Sequence, residues 1–414
     1  MSKPIFIAAS PNTERDDVLL AAKLMNRFWS WKRTDKVKEL EQQVSKFLNK
    51  RPAIAFDSAR SSLYAILKAY GIGEGDEVIL PGFTCLVVAN PVIWTGARPV
   101  YVDINARTFR YNLKDLSTKV NNRTKAIIVQ HTFGIADKVN EIRKIVGKKV
   151  VIIEDLAHSL GGEYQGERLG TLGDAAIITF GIEKALSSVR GGVAVVADPE
   201  IAEKLRLFQQ GLPKFSYKRI YFALLNPIFW AIVTPLYYLG IGKLTFGRVA
   251  TFFGHLFGIL GNMIAHEEYE TIKPKWTPAQ MPGALAELAL NQWPKLERFN
   301  EHRRQIAAVY SRELAVKYPE EPGNKNVYLR FPVFVNSQKK ALLEGKKNRV
   351  VLGDWYKTML YAPERSYKKL FYEKGMAKIS EQVTKYIINL PTGINVTEVD
   401  AKRIAEFTKK YVIK

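Results

Sequence analysis

Val151-Ile152-Ile153-Glu154-Asp155-Leu156-Ala157-His158 joins an apolar, β-branched run to a carboxylate and then a histidine. Such a run reads as a strand buried on both faces in a parallel sheet. A carboxylate at its C-terminal end stands where open α/β sheets bind their ligands. Lys184 follows Asp155 by 29 positions (184 − 155), at the end of Thr179-Phe180-Gly181-Ile182-Glu183-Lys184 and ahead of Arg190-Gly191-Gly192. A lysine just beyond a strand, beside a Gly-rich turn, can act as a nucleophile when its surroundings lower its pKa. Taken singly, Asp155 is equally a helix cap and Lys184 a surface lysine. Their combination across one strand–loop–strand unit is what points to chemistry.

Outward from that unit the texture repeats. Short apolar runs at 53–56, 78–80, 99–102, 126–130, 150–154, 175–180 and 193–196 alternate with longer amphipathic stretches. This alternation predicts an α/β domain with a parallel or mixed sheet covered by helices on both faces. Gly71-Ile72-Gly73-Glu74-Gly75-Asp76 and Gly96-Ala97-Arg98-Pro99 supply turns where helices must give way to strands. Apolar residues at helical spacing predict helices over 15–50, a helix pair over 279–317 and a closing helix over 401–411, with a strand over 328–335. The division expected is a helical segment at 1–50, a large domain at 51–207, an apolar insertion at 208–275 and a smaller α/β domain at 276–414.

Composition narrows the possible roles. The 62 Lys and Arg against 40 Asp and Glu leave +22, which favours an anionic partner such as a nucleotide, a phosphorylated substrate or an acidic membrane. The basic pairs, among them Lys148-Lys149 and Arg303-Arg304, are scattered and carry no interleaved aromatics, so nucleic acid is not an expected partner. One cysteine, Cys85, excludes an intramolecular disulfide and a Cys-rich zinc site, and no metal is expected. The first ten residues lack the basic start and apolar run of an export signal, so a cytoplasmic location is expected.

A third motif, Phe56-Asp57-Ser58-Ala59-Arg60-Ser61-Ser62-Leu63, follows a strand and opens a helix. Small residues there let backbone N–H groups meet a phosphate, although a plain N-cap has the same signature. With these pieces in order, the sequence resembles the DegT/StrS family of pyridoxal-phosphate (PLP) nucleotide-sugar aminotransferases. The likeness is carried by Gly75-Asp76-Glu77-Val78-Ile79 with Pro81 and Thr84, Gly96-Ala97-Arg98-Pro99-Val100 with Asp103, and Thr124-Lys125-Ala126-Ile127. It continues through His131 with Gly134, Glu154-Asp155 with Ala157-His158, Gly170 with Gly173-Asp174, and Lys184 with Gly191-Gly192.

The resemblance implies the aspartate-aminotransferase (type I) fold and a set of roles. Lys184 falls at the Schiff-base lysine, which also moves the proton, and Asp155 at the partner of the pyridine nitrogen. His158 falls beside the cofactor's O3′, Thr179 at a hydroxyl donor to its phosphate, and Ser58, Ala59 and Arg60 at the phosphate-cradling turn. Cys85 stands where many members stack an aromatic ring, so a thiol contact is expected instead. Pro278 aligns with an asparagine that reaches a neighbouring subunit's phosphate. A homodimer is implied. His131 is expected to be structural, and Arg330 is a candidate grip for the amino donor's carboxylate.

Residues 220–242 contain no charged side chain, and 249–264 only His255. The first stretch has the length of a membrane span, but Pro227 and Pro235 are expected to break a helix there. A single crossing would also separate 276–414 from the sheet they must pack on. A shallow dip into the membrane interface, flanked by Lys214, Lys218, Arg219, Lys243 and Arg248, is one expectation. A soluble lid or dimer contact is the other. The function implied is amino transfer, with glutamate as donor, to a keto-sugar on a nucleotide or lipid carrier in surface-polysaccharide assembly. The rivals are a PLP sugar dehydratase, which in this family has histidine at the Lys184 position, and a non-catalytic membrane-bound regulator or scaffold that keeps the fold.

Overall fold

The buried apolar runs assemble into one seven-stranded sheet in this computed structural model, which describes residues 3–242 and 244–413. Its strands are β1 (Ala53–Phe56), β2 (Glu77–Pro81), β3 (Arg98–Val102), β4 (Thr124–Gln130), β5 (Val151–Asp155), β6 (Ala175–Thr179) and β7 (Gly192–Val196). The order is β1-β7-β6-β5-β4-β2-β3; β7 runs antiparallel to both neighbours and the other pairings are parallel. Side chains alternate between two cores, as the pleat requires. Ile178, Val193 and Val195 face one core with Leu40, Val44 and Leu285, while Ile177, Ala194 and Val196 face the other with Leu63 and Leu67.

Register brings the three sequence motifs to one end of this sheet. Asp155 lies beside Gln130 and Ile177, Thr179 pairs with Gly192, and Ser58 bridges to Gly191. Gly192 is required there, because a Cβ would collide with the backbone of Ser58 and Ala59. The segment after β1 therefore enters helix Ala59–Ala69 hard against β7, with the Ser58 hydroxyl capping it by accepting from the Ser61 N–H.

The N-terminal region forms helices Arg15–Met25 and Asp35–Phe47, and its first strand, Ile5–Phe6, pairs with Val350–Val351 of the C-terminal region. Helices Gly283–Gln292 and Leu296–Leu314 are the predicted pair. Arg330–Phe334 pairs antiparallel with Ile387–Pro391, and helix Glu398–Lys409 closes the small α/β unit.

The insertion corrects one expectation. Tyr217–Leu236 is a single helix that runs through Pro227 and Pro235. Both prolines lie past its first turn, so each removes an interior N–H, but neither ends it; packing of Ile220, Ala223, Leu224, Asn226 and Pro227 into the fold outweighs the loss. It is the one helix among the described residues long and apolar enough to cross a membrane. A short hairpin, Gly240–Ile241 with Leu244–Thr245, turns the chain into helix Phe246–Leu256; Lys243 lies outside the described residues. The return is pinned to the main fold. Arg60 forms an ion pair with the fully buried Glu268, Asn90 donates to the Glu268 carbonyl at 2.9 Å, and the Trp94 indole N–H donates to the Thr271 carbonyl at 3.0 Å.

Candidate active site

A cavity of about 300 Å³ opens at the sheet end where β1, β5 and β6 finish. Ser58, Ala59, Arg60, Cys85, Asp155, His158, Thr179 and Lys184, the whole set expected from the sequence, line it. His131 does not; it is buried behind the wall, Nε2 3.2 Å from Glu154 and Nδ1 accepting the Asp137 N–H at 3.0 Å.

Lys184 emerges from the turn after β6 with its side chain 17% exposed, its ammonium 3.8 Å from Glu183. Burial lowers its pKa; Glu183 opposes the shift and Arg330 adds to it. The facing carboxyl of Asp155 is pushed up by burial, with the Ala157 N–H at 2.9 Å pulling the other way. Burial, aided by Lys184 and Arg330, holds His158 well below the usual imidazole range. His158 is thus neutral, and its Nδ1 accepts the Phe133 N–H at 3.1 Å, so Nε2 carries the proton. Its ring stacks between Phe133 and Tyr356, with centroids 6.0 and 6.5 Å away. Burial raises the Cys85 thiol to about 11, so this side chain meets the cavity as a neutral, weakly polar group.

Arg330 is the most unusual member. It is 1% exposed, its guanidinium stacks 3.3 Å from the Trp355 ring, and Nη2 lies 3.1 Å from Glu183. None of its three nitrogens has a hydrogen-bond acceptor, so a buried cation on the cavity wall retains its donors for a ligand. Arg60 has its side chain committed elsewhere. Its guanidinium is engaged by Glu268 and by the Met263 carbonyl at 2.6 Å, which leaves only its backbone to the phosphate turn. The segment at Pro278 still packs on that turn: Asp57 and Ala279 exchange backbone and carboxylate hydrogen bonds at 3.0 Å, and Thr277 meets Ser61 at 2.8 Å.

The roof comes from the insertion, through Arg219, Phe222 and Asn226 on one side and 258–264 on the other. Trp355, Tyr356 and Tyr361 complete the wall. Nothing in the local sequence around 355–361 marked these aromatics, because their role comes from tertiary approach. Glu268 did have a signal, since Glu267-Glu268 end an acid-free run that spans 204–266.

The donor set fits PLP. A buried lysine of lowered pKa, a buried carboxyl, and a capped helix start with small residues line one cavity, and they are the groups that a covalent anchor, a pyridine-nitrogen partner and a phosphate seat would require.

Comparison with known proteins agrees. The profile of the DegT/DnrJ/EryC1/StrS aminotransferase family matches residues 12–224 and 277–409. A GDP-perosamine synthase from Caulobacter vibrioides is 34% identical over 201 residues, covering 48% of this chain and 53% of that protein. A pleiotropic regulatory protein from Geobacillus stearothermophilus is 25% identical over 390 residues, 91% of this chain and 90% of its own. In three dimensions, a Streptococcus pneumoniae protein crystallised in its PLP form superposes with a TM-score of 0.72 at 19% identity, covering 99% of this chain and 98% of that one. The chain belongs to the DegT/DnrJ/EryC1/StrS family of PLP-dependent sugar aminotransferases.

Proposed function

We propose that this chain moves an amino group from glutamate to a keto-sugar on a phosphate-linked carrier, with Lys184 and Asp155 as its catalytic residues. The observation that carries this reading is a buried lysine of lowered pKa and a buried carboxyl lining one cavity with a buried arginine that pairs with Glu183 yet keeps its N–H groups without a hydrogen-bond acceptor. PLP, when bound, supplies an electron sink for the carbanion left when the amino-bearing carbon loses its proton. Lys184 anchors the cofactor and, once released, its neutral amine takes and returns that proton. Asp155 keeps the ring nitrogen protonated, and a cation placed against it offsets the desolvation that raises its own pKa. The Nε2–H of His158, held in that tautomer by the Phe133 N–H on Nδ1, would be the donor to the cofactor's ring oxygen. Ser58, Ala59 and the backbone of Arg60 would seat the phosphate with Thr179, and Cys85 would lie against the ring. Arg330 orients the donor's carboxylate.

The same reading divides the chain at 50/51, 207/208 and 275/276 and has it act as a homodimer on the cytoplasmic side. Exposed Leu19 on helix Arg15–Met25, with Phe28 and Trp29 in the short 3-10 turn that follows it, favours a dimer contact there. Residues 214–264 make a peripheral membrane contact. The test is the donor half-reaction: glutamate added to the PLP-loaded protein bleaches its visible band, and 2-oxoglutarate appears in equal amount. Arg330→Gln should cut the efficiency of this step with glutamate about 100-fold, the worth of a buried charge-assisted pair. Loaded protein that leaves glutamate untouched would overturn the reading.

A further inference from the structure

The segment between the two parts matched by the family profile, 225–276, lies outside that profile, and its surface is reversed relative to an ordinary helix packed on a globule. Helix Phe246–Leu256 places Val249, Phe252, Phe253 and Leu256 at i, i+3, i+4 and i+7, the spacing of one face, and all four are exposed. The face turned inward carries Gly247 and Gly254; a Cβ on Gly254 would press on Leu260 and Phe229. The hairpin before it ends in Ile241 and Leu244, 91% and 75% exposed. A soluble lid would bury these side chains; here they form a continuous outward apolar surface of the kind that marks a docking site.

Charge selects the occupant. Residues 204–266 contain no Asp or Glu, and Lys214 and Lys218 are exposed at the base of the insertion. An isologous contact between two copies would set the acid-free stretch 204–266 of one against that of the other, like charge against like. An anionic bilayer meets both the apolar face and the positive flanks.

The inner side of the same segment lines the catalytic cavity. Exposed Tyr221 and Phe257 are chain neighbours of the lining residues Phe222 and Gly258, and Met263 is both exposed and part of the lining, so one layer separates cavity from docking face. Arg190 and Arg219 also line the cavity, and among the described residues neither pairs with a carboxylate; both lie on the ring of Trp276, at 5.8 and 3.9 Å. Burial and their mutual repulsion lower the pKa of Arg219 to about 10, which is the cost of holding two cations where an anion is to be bound. Phosphate oxygens suit these guanidinium groups, and the apolar roof suits a hydrocarbon tail.

We propose that the insertion docks this chain on an anionic bilayer and that its acceptor is a keto-sugar carried on a lipid diphosphate rather than on a soluble nucleotide. This rests on the amino-transfer reading above. The experiment uses PLP-loaded full-length protein with vesicles of phosphatidylglycerol and phosphatidylethanolamine, beside vesicles of phosphatidylcholine alone. The protein should float with the first and much less with the second. Ile241→Glu/Leu244→Glu, at positions outside the cavity, should weaken that partition by about 100-fold or more, from the loss of two buried apolar side chains. The variant should keep the glutamate half-reaction, and turnover of a keto-sugar on a vesicle-borne lipid diphosphate should fall with partition. Protein that stays at the bottom of the gradient with anionic vesicles would overturn the proposal. So would faster turnover of the nucleotide-linked sugar, or a variant whose light-scattering mass drops from dimer to monomer. Failure of the half-reaction itself would instead strike the amino-transfer reading.

Discussion

The tips of β5 and β6 and the helix Phe246–Leu256 are both rich in apolar residues, and the fold treats them in opposite ways. Around Asp155 and Lys184 the β-branched side chains are buried on both faces of the sheet, and the low-dielectric wall they make raises the pKa of Asp155 and lowers that of Lys184. In the insertion helix the large side chains face solvent and the glycines face the protein. The first arrangement tunes chemistry; the second stores an affinity that only another phase or partner can satisfy. Composition alone does not separate the two cases. Which face carries the bulk does.

The joint between these regions is the ion pair of Arg60 with Glu268, which ties the turn at 58–60 to the end of the insertion. Glu268 is fully buried and also accepts the Ala265 N–H at 2.7 Å. Glu268→Ala leaves the Arg60 cation without its partner and should cost about 3–5 kcal/mol. Denaturant melts followed by far-UV circular dichroism would read this, and unchanged stability would mean that the roof is not integral to the fold. A smaller effect comes from the wall. Because burial and Arg330 lower the pKa of Lys184, its neutral amine is present at lower pH than in an ordinary lysine. The rate of PLP capture should therefore rise with pH through a midpoint below 10.5, and fall as the pH drops and the amine is protonated. Glu183 and Asp155, which favour the ammonium, set how far below. A midpoint at or above 10.5 would show that the cavity does not desolvate the lysine.

The sheet and its site were legible because their signals are local. Each central strand is a run of β-branched residues, and Asp155, Thr179 and Lys184 sit at or just beyond strand ends, where topology places ligands whatever the rest of the chain does. The pairing of Ile5–Phe6 with Val350–Val351 was not legible, because two-residue strands brought together from the chain's extremes have no pattern of their own. The aromatic wall at Trp355, Tyr356 and Tyr361 is of the same kind. The role of Arg60 was half visible: its place in the turn could be read, but the carboxylate that claims its side chain lies 208 residues away. Pro227 and Pro235 misled in the other direction, since the rule that proline ends helices is a local one and tertiary packing overrode it.

The most direct test of the account is the absorption spectrum of the purified protein with PLP, recorded beside Lys184→Ala. The account predicts a visible band that survives dialysis in the parent protein and is missing from the variant, while Ser58→Ala keeps the band with weaker retention of the cofactor. A band of equal strength in Lys184→Ala, or PLP that dialyses freely from both proteins, would contradict the assignment of this cavity and its lysine.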